Sequence, residues 1–276
     1  MQNIANPKKI EFKTGSNPLE GIITVEPLFL GYGMTLGNSL RRVLLSSLPG
    51  AAVVGVKIKG ASHEFMALPH IKEDVLEMVL NLKQLRFKIF TEEEVRLELK
   101  VKGKKVVTAA DIVKNSEVEI KNPDLVLANI TDEAGSLEME IFVREGRGYK
   151  MTEGNKKENR EIGYIEVDSI FSPVTLASID VENTRVGKMT NWDKLILKVK
   201  TDGTITAQEA FQEATKILVD QFSSLLSLSG GEALENEAPA EEALEAGNEE
   251  EAEDSEEAAE DGKKSVKKEA KKKAKK

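Results

Sequence analysis

The sequence contains no cysteine, two histidines and one tryptophan. The absence of cysteine excludes a disulfide scaffold, a thiolate nucleophile and a cysteine-ligated zinc site. The histidines, His63 and His70, are seven residues apart without an evident third ligand, whereas a metal site needs three or four ligands in a fixed geometry. A Ser-His-Asp arrangement has equally little support. We therefore expect no catalytic site, no metal and no cofactor in this chain.

Long apolar runs are also missing from the sequence. Residues 1–20 lack the apolar segment with basic flanks that marks a signal peptide. No run approaches the ~18 apolar residues that a membrane span needs. These absences predict a cytoplasmic protein without membrane contact.

Charge is distributed unevenly along the chain. Fifteen acidic residues in 232–261, and nine lysines with one glutamate in 262–276, give the tail a charge of −7 and leave −2 of the total −9 for residues 1–230. A nearly neutral body has no strongly basic footprint for nucleic acid. The tail from residue 231 lacks aromatic residues and has few branched apolar ones. It is therefore predicted to be disordered.

The lysine run at the end of the tail allows two interpretations. Its lysines are candidate contacts to DNA phosphates without sequence preference. The neighbouring acidic run competes for the same lysines, which favours a solvated zwitterionic tail. The candidate contacts are Lys267, Lys268, Lys271, Lys272 and Lys273.

Three zones precede the tail and together predict an α+β fold. Residues 1–53 combine an alternating strand pattern in "GIITVEPLF", turn residues in "GYGMT" and a helical pattern in "LGNSLRRVLLSS". Residues 54–169 consist mainly of alternating runs, with one helix predicted over "IKEDVLEMVLNLKQL" and a hairpin turn at "VKGKKV". Residues 170–230 hold the strand "KLILKVKT" and a long final helix.

The final helix has a clear start signal and a wide apolar stripe. Thr206 is followed three residues later by Glu209, which is the pattern of a capping box. Apolar residues recur at steps of three or four from Ala207 onward, and a second apolar set widens the stripe. A stripe of this width fits a central core helix or a helix packed against a second copy of the chain.

Several charged or glycine-rich segments are candidate sites. "GYGMTLG" misses the dinucleotide fingerprint by one position and lacks a following Gly-Lys-Ser/Thr, so its glycines are attributed to backbone conformation. The adjacent Arg41 and Arg42 point about 100° apart on a helix, so at least one is expected to lean toward the apolar stripe. Glu73 and Asp74 are interpreted as a surface pair at a helix start. Arg147, between two glycines in "GRGY", is either a partner contact or a solvated loop residue.

The stretch "GYGMTLGNSLRRVLLSSLPGAAV" closely resembles the N-terminal assembly domain of the α subunit of bacterial DNA-directed RNA polymerase. Further blocks match in the same order and extend the resemblance over residues 9–228. They are "HEF", "EDVLEMVLNLK", "GRGY", "VDSIFSPV", "VENTRVG", "DKLILKVKTDGTIT" and the final helix.

The resemblance implies both an architecture and a function. Residues 1–53 and 170–230 would form a discontinuous α/β dimerisation subdomain, 54–169 an inserted β-rich subdomain, and 231–276 the disordered charged tail. The chain would be a homodimeric scaffold that nucleates assembly of the β and β′ subunits for transcription. It would be a non-catalytic part of a nucleotidyltransferase complex. Sigma factor and promoter DNA would be reached through the assembled complex.

The resemblance also implies roles for individual residues. Arg42, the second arginine of its motif, would be a key contact to β, with Leu45 packing beside it. Further β or β′ contacts would be Lys83, Arg147, Ser172, Pro173, Arg185, Val186 and Gly187. The dimer interface would include Leu36, Leu40, Phe211, Ala214, Leu218, Phe222 and Leu225.

Two departures and two rival interpretations stay open. The small helical DNA-binding domain that usually follows in this family is not visible in residues 231–276, so DNA recognition by this subunit is not expected. "NWDK" at 191–194 also departs from the family pattern and is given no functional weight. The rivals are a stand-alone enzyme that holds a phosphate at "GYGMTLG", and a homodimeric binding protein with weak, non-specific DNA contact through its lysine tail.

Overall fold

A computed structural model describes residues 4, 6–15, 17–152 and 163–229 of the chain. The predicted α+β class is confirmed, since the described residues form a strand-rich body with three α-helices. The helices are α1 (Tyr32–Ser46), α2 (Val75–Leu82) and α3 (Ala207–Leu228), with a short 3-10 helix at Ala109–Asp111. The strands are β1 (Lys9–Thr14), β2 (Glu20–Leu28), β3 (Pro49–Ile58), β4 (Phe87–Ile89), β5 (Val95–Lys102), β6 (Lys105–Thr108), β7 (Val118–Ile120), β8 (Val126–Ile130), β9 (Ser136–Arg147), β10 (Tyr149–Lys150), β11 (Tyr164–Glu166), β12 (Ser169–Ile170), β13 (Val174–Val186) and β14 (Met189–Thr201).

The strands form two main antiparallel sheets. One has the order β1-β2-β14-β13, so it joins strands from opposite ends of the described chain. The other has the order β5-β9-β3-β4-β7, with β11 pairing along β3. Two small pairs, β10–β12 and β6–β8, complete the pattern.

Buried side chains fall into two large clusters, one for each main sheet. The first cluster packs α2 against β3, β5 and β9, with Met78, Leu82 and Ile141 fully buried. The second packs α1 and the start of α3 against β2 and β14, with Leu44, Leu197 and Ala210 fully buried. A small third cluster joins residues of β3 to Phe171. The predicted subdomain boundaries at residues 53/54 and 169/170 stay a prediction.

Helix α1 begins within the stretch that the sequence predicts to be a turn. Its cap residue, Gly31, has no side chain to accept a hydrogen bond from the first turn. The acceptor is instead Asp193 of β14, whose Oδ2 lies 2.8 Å from the Gly31 nitrogen and 3.0 Å from the Gly33 nitrogen. Asp193 is buried, and its charge complements the helix dipole. The turn prediction for "GYGMT" was wrong because this cap comes from a residue far along the chain.

Glycines let α1 pack closely on the sheet. A Cβ atom on Gly33 would lie 2.8 Å from Val181 Cγ1, and one on Gly37 would lie 2.9 Å from Leu195 Cδ1. Together with Leu40 and Leu44 they form the buried face of the helix. The "GYGMTLG" glycines therefore have a packing role, because a larger residue would force α1 away from β13 and β14.

The hairpin predicted at "VKGKKV" is absent. β5 pairs with β9, whereas β6 pairs with β8 in a different sheet. Gly103 makes the turn between them with a φ of +82°, and its N–H donates to the carbonyl of Gly135. The prediction was wrong because two alternating runs around a glycine do not determine which strand each one pairs with.

Helix α2 is shorter than predicted, and Glu73, which precedes its cap residue, is hydrogen-bonded to β8. Asp74 is the cap residue and accepts a hydrogen bond of 2.7 Å from the Glu77 nitrogen. Glu73 is buried rather than exposed, which corrects the surface interpretation. Its carboxylate accepts 2.6 and 2.5 Å hydrogen bonds from the backbone nitrogen and Nδ2 of Asn129. Burial alone would raise the pKa of Glu73, but the two bonds from Asn129 hold that pKa below its ordinary value.

Helix α3 begins as the sequence predicts. The Thr206 nitrogen lies 2.8 Å from Glu209 Oε2, and the Glu209 nitrogen lies 3.2 Å from Thr206 Oγ1. The capping box is thus confirmed. Its two residues are three positions apart in the sequence, so no distant partner is needed.

By its contacts the chain divides into two units, Met1–Phe222 and Ser223–Lys276. The described part of the second unit is residues 223–229 at the end of α3. The tail 231–276, predicted to be disordered, lies outside the described residues, and so do its five candidate DNA-contacting lysines. Within the described ranges, none of the helices has the length and apolar character required to cross a bilayer.

We predict that Asp193→Ala destabilises the protein by about 1–3 kcal/mol, because two N–H groups at the start of α1 lose a buried acceptor. Urea unfolding followed by circular dichroism measures the change. Asp180→Ala is the matched control. Asp180 lies on the same hairpin in an exposed ion pair with Lys198, 3.3 Å away, and should cost less than about 0.5 kcal/mol. Equal losses in the two variants would contradict the capping role.

We predict that Glu73→Gln lowers the free energy of unfolding most at neutral pH. The folded protein lowers the pKa of Glu73 below its ordinary value of 4.5, so the charged carboxylate stabilises the fold above that value. The contribution is lost as the pH falls through the lower, folded pKa. Wild type and variant should therefore converge in unfolding experiments between pH 7 and pH 3. A difference that stays constant across this range would contradict the assignment.

Candidate functional site

Both arginines of α1 face solvent. The buried residues Gly33, Gly37, Leu40 and Leu44 occupy a stripe only about 60° wide at 100° per residue. On the same scale Arg42 points about 170° away from the centre of that stripe, and Arg41 about 70° away. Both side chains are exposed, so the expectation that one leans into the apolar stripe was wrong.

Arg42 lacks an internal partner. Within the part of the chain that the structure describes, its guanidinium forms no hydrogen bond and no ion pair. Its carbonyl accepts a 2.8 Å hydrogen bond from Ser46 Oγ. Leu45, one turn further, is exposed as well. The last turns of α1 thus present a free cation beside an apolar side chain.

The chain that follows α1 is clamped between two other segments. Pro49 pairs with Arg147 and Gly50 with Gly146 where β3 meets β9. A Cβ atom on Gly50 would lie 1.9 Å from the carbonyl oxygen of Phe171 and 3.3 Å from Pro173 Cδ. Only glycine permits this approach. It brings Arg147 and Ser172–Pro173 to the end of α1.

Lys83 reaches the same region from α2. Its ammonium lies 3.8 Å from Asp168 Oδ2, and the Tyr149 hydroxyl donates to the same oxygen at 3.2 Å. Asp168 Oδ1 accepts a 2.9 Å hydrogen bond from the Thr152 nitrogen. That bond is the main reason why the pKa of Asp168 lies below its ordinary value, and Tyr149 and Lys83 lower it further.

The structure therefore gathers six of the predicted contact residues around one end of α1. We call this region the α1-end surface. It consists of Arg42, Leu45, Lys83, Arg147, Ser172 and Pro173.

The remaining predicted contacts lie elsewhere. Arg185, Val186 and Gly187 form the tip of the β13–β14 hairpin, where Arg185 Nε donates to the Gly187 carbonyl at 2.8 Å. The hairpin passes the start of α1, because Trp192 packs on Phe29 with ring centroids 6.0 Å apart. The tip is thus separated from the α1-end surface by the length of α1, about 20 Å for 15 residues.

The predicted dimer residues differ in exposure. Leu40, Phe211 and Ala214 are buried in the chain's own core, and Leu218 packs against it. Leu36 is partly exposed on α1. Phe222 and Leu225 of α3 are 61% and 62% exposed. Val219, Leu226 and Leu228 of α3 are exposed too.

Sequence reasoning missed four acidic or basic residues that organise these surfaces. Asp168 holds Lys83, Asp193 fixes the start of α1, and Arg86 pairs with Asp202 between the two main clusters. Each acts on a residue distant in sequence, so local spacing gives no signal. Among the described residues, no group of three or more histidine, cysteine, aspartate or glutamate side chains is arranged to hold a metal.

Comparisons with known proteins agree on one family. A family model described as the RNA polymerase Rpb3/RpoA insert domain matches residues 56–172. The DNA-directed RNA polymerase subunit alpha of Carboxydothermus hydrogenoformans is 51% identical over 213 residues, which cover 77% of this chain and 68% of the relative. The subunits of the same name from Oceanobacillus iheyensis and Macrococcus caseolyticus are 47% and 46% identical over 229 residues, or 83% of this chain and 73% of each relative.

Proposed function

The chain belongs to the family of bacterial DNA-directed RNA polymerase α subunits, and on that premise we propose how its described surfaces serve a non-catalytic assembly subunit. Membership implies assembly with other subunits of the polymerase. The finer proposal is a homodimeric scaffold on which the β and β′ subunits assemble. The catalytic chemistry, sigma factor and promoter DNA then belong to the assembled complex.

The observation that carries the proposal is the α1-end surface. Arg42 is exposed and has no partner among the described residues, and it lies beside the exposed Leu45 and the closely packed backbone at Gly50. An arginine of this kind makes paired hydrogen bonds with carboxylates or carbonyls of another chain and is weakly hydrated. A rigid frame lowers the ordering cost of binding. We assign this surface to contact with β.

Homodimerisation is proposed to use α3 together with a different flank of α1. Val219 and Phe222 extend the apolar face of α3 beyond the residues that cover the core. Leu36 lies about 120° around α1 from Arg42. The helix can therefore meet a second copy on one flank and a large subunit on the other. Use of the same patch by both copies would give a two-fold interface.

The tip of the β13–β14 hairpin is proposed as a second contact with β or β′. Arg185, Val186 and Gly187 form this tip at the opposite end of α1 from Arg42, with Arg185 and Gly187 exposed and Val186 partly buried. Two separate surfaces on each copy give a symmetric dimer enough contacts for two unlike partners. The relatives' names do not favour the alternative of a DNA-binding protein that acts through its tail.

We predict that Arg42→Ala weakens binding of the dimer to β by about tenfold or more, because a central arginine contact is lost. Binding is measured by titrating labelled dimer with β. Arg96→Ala is the control, since Arg96 lies on β5 in an exposed ion pair with Glu140 at 2.5 Å. Normal dimerisation together with unchanged β affinity of Arg42→Ala would contradict the assignment.

We predict that Phe222→Asp shifts the chain from dimer to monomer, with the dimer dissociation constant raised at least about tenfold. The reason is that a charge would be buried in an apolar interface. Sedimentation equilibrium measures the shift. Phe90→Asp is the matched control, because Phe90 is 63% exposed and lies next to β4, outside the proposed interface. A Phe222→Asp chain as dimeric as the control would refute the proposed role of α3.

A further inference from the structure

One ion pair spans the two main clusters of the body. Arg86 follows α2 in the first cluster's part of the fold, and Asp202 begins the turn between β14 and α3 in the second. Arg86 Nε lies 3.5 Å from Asp202 Oδ2. The side chains are only 24% and 9% exposed, whereas those of the surface pair Arg96 and Glu140 are 53% and 28% exposed. Water screens the Arg86–Asp202 pair less than an ordinary surface pair.

Arg86 also fixes the end of α2. Its Nη1 donates hydrogen bonds of 3.1 Å to the carbonyls of Lys83 and Leu85. Its backbone nitrogen donates to Asn122 Oδ1 at 2.9 Å. The guanidinium therefore holds the backbone of Lys83 with one nitrogen and meets Asp202 with another.

Asp202 makes the corresponding contacts on its own side. Its backbone nitrogen donates a 3.0 Å hydrogen bond to the carbonyl of Pro173. Its Oδ1 accepts hydrogen bonds from the Thr204 nitrogen at 3.0 Å and from Thr204 Oγ1 at 2.6 Å. The carboxylate is thus held in place by its own turn while its other oxygen faces Arg86.

We propose that Arg86 and Asp202 are positioning residues that set Lys83 and Ser172–Pro173 in register on the α1-end surface. The inference rests on the proposed function of that surface and adds how Lys83 is aligned with Ser172–Pro173. Lys83 belongs to α2, whereas Ser172–Pro173 precede β13. A partner that touches both must find them at a fixed separation. The chain of contacts Lys83–Arg86–Asp202–Pro173 supplies that separation.

The experiment is assembly of the full-length dimer with β and β′, comparing wild type, Arg86→Gln and Asp202→Asn. Asp202→Asn keeps an acceptor for Thr204 but removes the charge that faces Arg86. It serves as an independent test of the pair if Arg86→Gln folds poorly. Arg96→Gln is the matched control on an exposed pair. Affinity for the large subunits, dimerisation and urea unfolding are measured for every variant.

We expect Arg86→Gln and Asp202→Asn to weaken assembly on the order of fivefold, as for loss of one partly shielded ion pair, with dimerisation unchanged. Arg96→Gln should assemble like wild type. In a double-mutant cycle, Arg86→Gln should cost much less in a Lys83→Ala background, because the residue that it positions has already gone. A purely structural role would give additive losses in that cycle.

Each remaining outcome decides against a stated idea. If Arg86→Gln and Asp202→Asn bind the large subunits as tightly as wild type, the positioning role is overturned and the proposed function is left intact. Additive losses in the cycle with Lys83→Ala would do the same. A wild-type dimer that bound neither large subunit would overturn the proposed function and this inference with it.

Discussion

The hydrogen bonds from Gly31 and Gly33 to the buried Asp193 carboxylate are the constraint on which the rest of the contact geometry depends. They fix the start of α1 on β14, and Gly33 and Gly37 then allow the helix to lie close against the sheet. A helix held at its start and along one narrow face has little freedom at its end. The position of Arg42 is therefore set by a residue about 150 places later in the sequence.

The residues of the α1-end surface are positioned by close contacts between backbone segments rather than by contacts between long side chains. Gly50 lies so close to the Phe171 carbonyl that any side chain would clash, and Arg147 is positioned by strand pairing with Pro49. Surfaces built on paired strands and a packed helix lose little entropy when a partner binds. The alternative that Arg147 is a solvated loop residue was wrong about the loop, because Arg147 is the last residue of the paired strand β9, with its side chain exposed.

The sequence predicts features that depend on residues close together in the chain, and it does not predict features that depend on residues far apart. The capping box of α3, the α+β class and most strands depend on residues near one another, so their patterns are visible without a structure. Three of the errors involve distant partners. The cap of α1 comes from β14, Glu73 finds Asn129 on β8, and β5 and β6 pair in different sheets. The residues of the contact surfaces came from the family resemblance, and their spatial grouping required the fold. The Arg86–Asp202 pair links residues 116 positions apart and carries no local signal.

The adjacent arginines of α1 show how the packing of a helix on its sheet determines which of its charged side chains stay exposed. A helix that buried large residues on a broad face would have to place Arg41 or Arg42 against its own core. Gly33 and Gly37 lie in the fully buried stripe and draw the helix onto the sheet, while Tyr32 and Val43 pack on the core from one side of that stripe. With Tyr32 and Val43 included, the core-facing arc spans about 140°, and about 220° of the circumference remains outside it at 100° per residue. Both guanidinium groups lie within that arc and are exposed. The glycines of "GYGMTLG" thus draw α1 onto its own sheet and leave Arg41 and Arg42 in solvent, where the proposed contacts with a second copy and a larger subunit can form.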